Sequence, residues 1–245
     1  MATINTVTKV GLRTPSAAAI AGLLFSLLMI AAFWLIRASV PDDPQESGAW
    51  LRTNSGAVTL AMNLIPFAGI AFLWFIGVLR DRLGQMEDRF FASLFLGSGL
   101  LLLGTLFVTS AIVGGLLMAF TAQPEELISS PTFHFARAAV YAMMNIYVIK
   151  MAGVFMITTS TIAIYTAIAP RWLAIVGYVL AVLLLFGSYF ISWIFFIFPI
   201  WVLLLSASIL IDDLSAALAK EDGNAGGQER HNKSNIHSKN VVWMR

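Results

Sequence analysis

Hydrophobic positions in this chain fall in long, nearly unbroken blocks, and the polar residues gather in short intervals between them. A helix crosses the roughly 30 Å hydrocarbon core of a bilayer with about 20 apolar residues. The pattern predicts six such helices, over residues 17–35, 56–79, 91–120, 138–168, 172–187 and 193–211. Thr14-Pro15-Ser16 opens the first, with Thr14 able to cap it and Pro15 suited to its first turn. Its apolar run of about 20 residues is longer than the 7–15 of a cleaved signal peptide, so it reads as a retained span. The last apolar block, Trp172 to Ile211, is 40 residues long. As one helix it would reach about 60 Å, twice the core thickness. It must therefore be a hairpin, turning at Gly187-Ser188 and the aromatic patch from Tyr189 to Trp193.

Composition agrees. Of 245 residues, 59% are hydrophobic and 11% charged, with a mean hydropathy of +0.83. A soluble protein of this size has no core large enough for so much apolar surface. That excludes a soluble enzyme, a disordered protein and a disulfide-stapled secreted domain. The expected fold is an all-α integral membrane protein, a six-transmembrane-helix bundle over residues 1–213, followed by a polar, disordered tail over 214–245. No cysteine occurs, so disulfides, thiolate metal sites, cysteine nucleophiles and palmitoylation are excluded.

The charges set the orientation. The net charge of +2 includes no basic stripe, so no nucleic-acid partner is expected. Threaded through six spans, Lys9, Arg13, Arg80, Arg82, Arg89, Arg171, Lys220, Arg230, Lys233, Lys239 and Arg245 fall on one side, and Arg37, Arg52 and Arg137 on the other. Basic residues favour the cytoplasm, which predicts cytoplasmic N- and C-termini and a bacterial inner membrane. Trp34, Trp50 and Trp193 then sit near the outer boundary, and Trp74 and Trp172 near the inner one, as anchors. The outer loops, 37–55 and 121–137, are too short for a domain. The charges of the 80–90 loop cancel and read as a solvated turn. Asn232-Lys233-Ser234 matches a glycosylation acceptor, but on the cytoplasmic side it has no use.

All thirteen acidic residues and the three histidines lie outside the spans. Proton-coupled pumps relay through intramembrane Asp, Glu or His, so this argues against a pump, an intramembrane aspartyl protease and a His-ligated haem or zinc site. No catalytic, cofactor-binding or metal-binding residues and no cofactor are expected. Lys150 is the one charge inside a span, where a central lysine costs roughly 2.5–3.5 kcal/mol. At 100° per residue Met143, Tyr147, Val154, Ile157 and Thr161 share its face. Lys150, Tyr147, Thr161 and the second-span amide Asn63 form the candidate ligand-binding set. The alternative for Lys150 is a lysine solvated by polar neighbours or held in an irregular helix. A Ser–Lys dyad has no supporting motif, and a retinal-type Schiff base has no counter-ion. Pro66 and Pro199 should kink their helices, and Asn63, one turn before Pro66, either satisfies that kink or lines a cavity with Lys150.

Ser93, Gly97, Gly104, Ala111 and Gly115 fall within about 40° of one another on the third helix. Such a small-residue stripe lets another helix approach closely. It reads as packing inside the bundle, with a homo-oligomer or membrane-protein partner as the alternative. Gly97-Ser98-Gly99 sits mid-helix and lacks the strand–turn–helix context of a nucleophile elbow or phosphate loop. The expected function is a non-enzymatic accessory or structural role in the bilayer. The alternative is a transporter or channel for a small polar or anionic solute near Lys150. An enzyme acting on lipid has the least support.

Overall fold

The computed structural model describes residues 14–41, 43, 48–83, 89–166, 168–187, 193–215 and 218. The expected tail lies almost wholly outside these residues, as do 84–88 of the charged loop and 188–192 of the expected hairpin turn. Among the described residues there is no strand. The helices are α1 (Thr14–Ser39), α2 (Leu51–Leu83), α3 (Arg89–Ala122), the short α4 (Pro124–Ile128), α5 (Pro131–Ala142), α6 (Ile149–Thr166), α7 (Arg171–Phe186) and α8 (Ile194–Ser215, opening in a 3₁₀ turn). A 3₁₀ turn, Gly48–Trp50, precedes α2, and a π-helical segment, Met143–Val148, joins α5 to α6.

Five stretches are long and apolar enough to cross a membrane: Ala17–Ser39, Gly48–Arg80, Phe90–Ala122, Pro131–Thr166 and Ile194–Ser215. The chain is a membrane-embedded helical bundle. The remaining apolar block is α7, whose 16 residues reach only about 24 Å.

Several helices run past their expected ends. The 33 residues of α2 and 34 of α3 each reach about 50 Å, well beyond the hydrocarbon core. The interval 121–137, expected as a loop, is mostly helix. Pro131 occupies the first turn of α5, and the Ser130 hydroxyl accepts from the Phe133 N–H at 3.2 Å, capping it. No glycine or proline follows until Gly153, so nothing stops the helix before α6. Pro66 does lie inside α2. Pro199 is not a mid-helix kink, because the 3₁₀ turn Ile194–Phe196 sets it in the first α-helical turn, where a missing N–H costs nothing.

The core is aromatic. Phe72 meets Phe25 at 4.5 Å, Phe155 at 5.1 Å and Phe198 at 5.8 Å between ring centroids, and Phe95 stacks on Phe155 at 4.9 Å. These rings tie together α1, α2, α3, α6 and α8. Two glycines permit the closest helix approaches, as expected where packing rather than water drives association. A Cβ on Gly22 of α1 would collide with the Ser206 hydroxyl of α8, and one on Gly177 of α7 would collide with the Ser160 hydroxyl of α6. Separate from this core, Leu51, Phe120, Leu127 and Phe133 form a small cap over one end of the bundle.

The small-residue stripe of α3 does not pack inside the bundle. Ser93, Gly104, Ala111 and Gly115 are exposed, Gly97 is partly so, and a Cβ on any of the three glycines would meet nothing within 4 Å. Helical periodicity places residues on a common face but does not say which neighbour that face meets. Here α3 turns Phe95, Leu102, Leu103 and Leu106 to the core instead.

Candidate ligand-binding cavity

Below the cap, α1, α2, α3, α5 and the start of α8 line a half-open cavity of about 310 Å³. Its walls are mainly aliphatic and aromatic, among them Phe33, Ile65, Leu106, Val113, Phe133 and Phe196. The polar side chains in its lining are Arg37, Trp50, Thr109, Ser110, Arg137, Tyr141 and Asn145. No carboxylate side chain lines it among the described residues.

The π-helical segment shapes one wall. A π turn carries more residues than an α turn and so shifts the phase of the side chains that follow. Tyr141, Met144 and Asn145 line the cavity, and Val148, Ile149 and Ala152 a turn later belong to the core. The Asn145 amide donates to the Tyr141 carbonyl at 3.0 Å, and the Thr109 hydroxyl contacts the Met143 sulfur at 3.6 Å.

Arg137 is 8% exposed. It donates to the carbonyls of Pro41 at 3.2 Å and Asp43 at 2.6 Å, and its guanidinium lies 5.5 Å from the Trp50 ring centroid. It thereby holds the segment after α1 against α5 and Trp50. Arg37 stands 5.5 Å over the Trp193 ring, which in turn lies 6.1 Å from Trp34. Trp50 Nε1 is buried with no hydrogen-bond acceptor among the described residues. At the rim, Arg52 reaches both carboxylate oxygens of Glu125 at 2.6 Å. The three arginines counted together on one side of the membrane thus gather at one end of the bundle. Trp74 and Trp172 are 68% and 58% exposed on its surface.

The candidate set is dispersed. Lys150 does not line this cavity; it is partly buried and donates to the Leu185 carbonyl at 3.3 Å. Leu185 lies in the last turn of α7, where carbonyls have no helical partner and a cation is favoured. Thr161 donates to the Ile157 carbonyl at 2.8 Å and accepts from the Tyr178 hydroxyl at 2.7 Å, joining α6 to α7. Tyr147 is 57% exposed. Asn63 is exposed and makes no side-chain hydrogen bond among the described residues. The extra π-helical turn breaks the helical wheel that placed Tyr147 beside Lys150. Conversely, Arg37, Arg137 and Trp50 served in the sequence only as orientation markers and an anchor. The signal was their common assignment to one side, opposite no span carboxylate.

No group of three His, Asp or Glu side chains able to hold a metal occurs among the described residues. No protein-family model, curated protein or solved structure matches this chain. What fold and site define is a class: a helical membrane protein with a mostly apolar cavity lined by a few polar side chains.

Proposed function

We propose that this protein is a non-enzymatic membrane protein that binds a small lipophilic molecule in the cavity beneath its cap, in an accessory role in the bilayer. The supporting observation is the cavity itself. Pockets of roughly 300–1,000 Å³ with apolar walls and a few placed polar groups are the usual form of a small-molecule site. In this reading α7 completes six spans, both termini face the cytoplasm of a bacterial inner membrane, and the end carrying Arg37, Arg52 and Arg137 faces outward. The excess of basic residues at the opposite side supports that threading. The candidate set around Lys150 remains the transporter alternative. The bond from Lys150 to the Leu185 carbonyl favours a helix-capping role for that lysine instead.

Two experiments test this. The chain lacks cysteine, so single cysteines are clean reporters. Cysteine at Ala49 should react with an impermeant maleimide from outside whole cells, and cysteine at Gln85 only after lysis; the reverse pattern would overturn the orientation. Val113→Trp fills the cavity from α3. It should abolish co-purification of any bound lipophile seen by native mass spectrometry of the wild type, and an unchanged ligand peak would remove the cavity as the site.

A further inference from the structure

The polar side chains of the cavity narrow the class of its ligand, an inference that rests on the binding reading above. The charges in the lining are already engaged. Arg137 commits its guanidinium to the Pro41 and Asp43 carbonyls and to the Trp50 ring. Arg37 is held over the Trp193 ring. An anion would have to draw either arginine from partners it already has. A cation would find no carboxylate side chain among the described residues of the lining. Taking an ion out of water without a partner is costly, so the occupant is uncharged. The Trp50 N–H is itself buried and offers the cavity surface no donor. What remains beside the apolar walls is neutral: the Ser110 and Tyr141 hydroxyls and the Asn145 carboxamide, whose nitrogen donates to the Tyr141 carbonyl.

Ser110 stands apart from the other hydroxyls of its helix. Serine and threonine inside a helix can donate back to the carbonyl four residues earlier. On α3, Ser98 and Thr109 do so at 2.7 Å, Thr105 at 2.8 Å and Thr121 at 3.0 Å. Ser110 donates instead to the Met62 sulfur at 3.4 Å, a weak acceptor. Of these five hydroxyls it is the one that an oxygen on a ligand would satisfy better than the protein does. We infer that the cavity takes an uncharged lipophile carrying an oxygen acceptor, a ketone or ester carbonyl for example, with that oxygen on the Ser110 hydroxyl and its body against the apolar walls.

The test is photolabelling of the full protein in phosphatidylcholine nanodiscs with an alkyl ketone that carries a diazirine, the labelled residues being mapped by mass spectrometry. Label in the cavity lining is expected, and excess decan-2-one should protect against it. Decyl sulfate and decyltrimethylammonium should protect at least about ten-fold less well, and decane about three- to ten-fold less well. Ser110→Ala should weaken protection by decan-2-one by the same roughly three- to ten-fold and leave that by decane unchanged. The decane comparison, made on the wild type, tests the same contact without a substitution. Equal protection by decyl sulfate overturns the uncharged assignment. Equal protection by decane, or no effect of Ser110→Ala, overturns the contact at Ser110; each of these leaves the cavity reading intact. If the cavity takes no protectable label the inference fails altogether, and if Val113→Trp also retains the wild type's co-purifying lipophile the binding reading falls with it.

Discussion

Gly177 is where the packing makes its sharpest demand. It lies on α7 against Ser160 of α6 and Trp201 of α8, so one added methyl group must displace two other helices. A Cβ there would overlap the Ser160 hydroxyl and stand 2.9 Å from Trp201 Nε1 and 3.0 Å from Cε2. Ser160 can rotate away. Trp201 cannot readily do so, because it is 1% exposed and its N–H is directed at the Leu173 carbonyl, 3.4 Å away. Overpacking of this kind costs about 1–3 kcal/mol. The better helix propensity of alanine returns up to about 1 kcal/mol. The same change at Gly115, where a Cβ meets nothing, brings the propensity gain without the clash. Gly177→Ala should therefore lie about 1–3 kcal/mol below Gly115→Ala. At about 2–4 °C per kcal/mol for a chain of this size, the gap in Tm is roughly 2–12 °C. The assay is thermal unfolding of both variants in one mild detergent, followed by tryptophan fluorescence. Gly177→Ala/Ser160→Gly should recover only part of the loss, since Trp201 remains in the way. Equal Tm values for the two single variants would refute the close approach of α6, α7 and α8.

Two further outcomes follow from the same geometry. Lys150→Met removes a cation from the α7 C-terminus, an interaction worth about 0.3–2 kcal/mol; Tm should fall by a few degrees and amide hydrogen exchange at Phe186 and Gly187 should quicken, and no change in either would discard the capping role. Glu125→Gln breaks the Arg52 pair, whose side chains are 54% and 76% exposed, so it should cost less than about 1 kcal/mol and be indistinguishable from wild type at high salt; a loss of several degrees would mean that the pair holds the cap in place.

The helical membrane class was legible because each apolar block must satisfy its own backbone hydrogen bonds in lipid, a local requirement. The break expected in the last apolar block falls between α7, which ends at Phe186, and α8, which opens at Ile194. The extension of α5 through 131–142 was harder to read, since Thr132, His134 and Arg137 interrupt hydropathy without interrupting a helix. Ser130 and Pro131 carried that information as a cap signal.

The site was not legible. Lys150 stood out because a lone charge among apolar neighbours is visible in one dimension, yet in space it finds the end of α7 across 35 positions of sequence. Arg37, Trp50 and Arg137 come from three separate segments, and nothing local says that they line one cavity. Periodicity likewise put Ser93, Gly97, Gly104, Ala111 and Gly115 on one face, while only the neighbours of α3 determined that the face looks outward. Composition and block length thus determine what each segment must be, because transfer into lipid is a property of the segment alone. Which side chains converge, and on what cavity, depends on helix tilt, phase and close approach at Gly22 and Gly177, and these are decided only when all the helices pack at once.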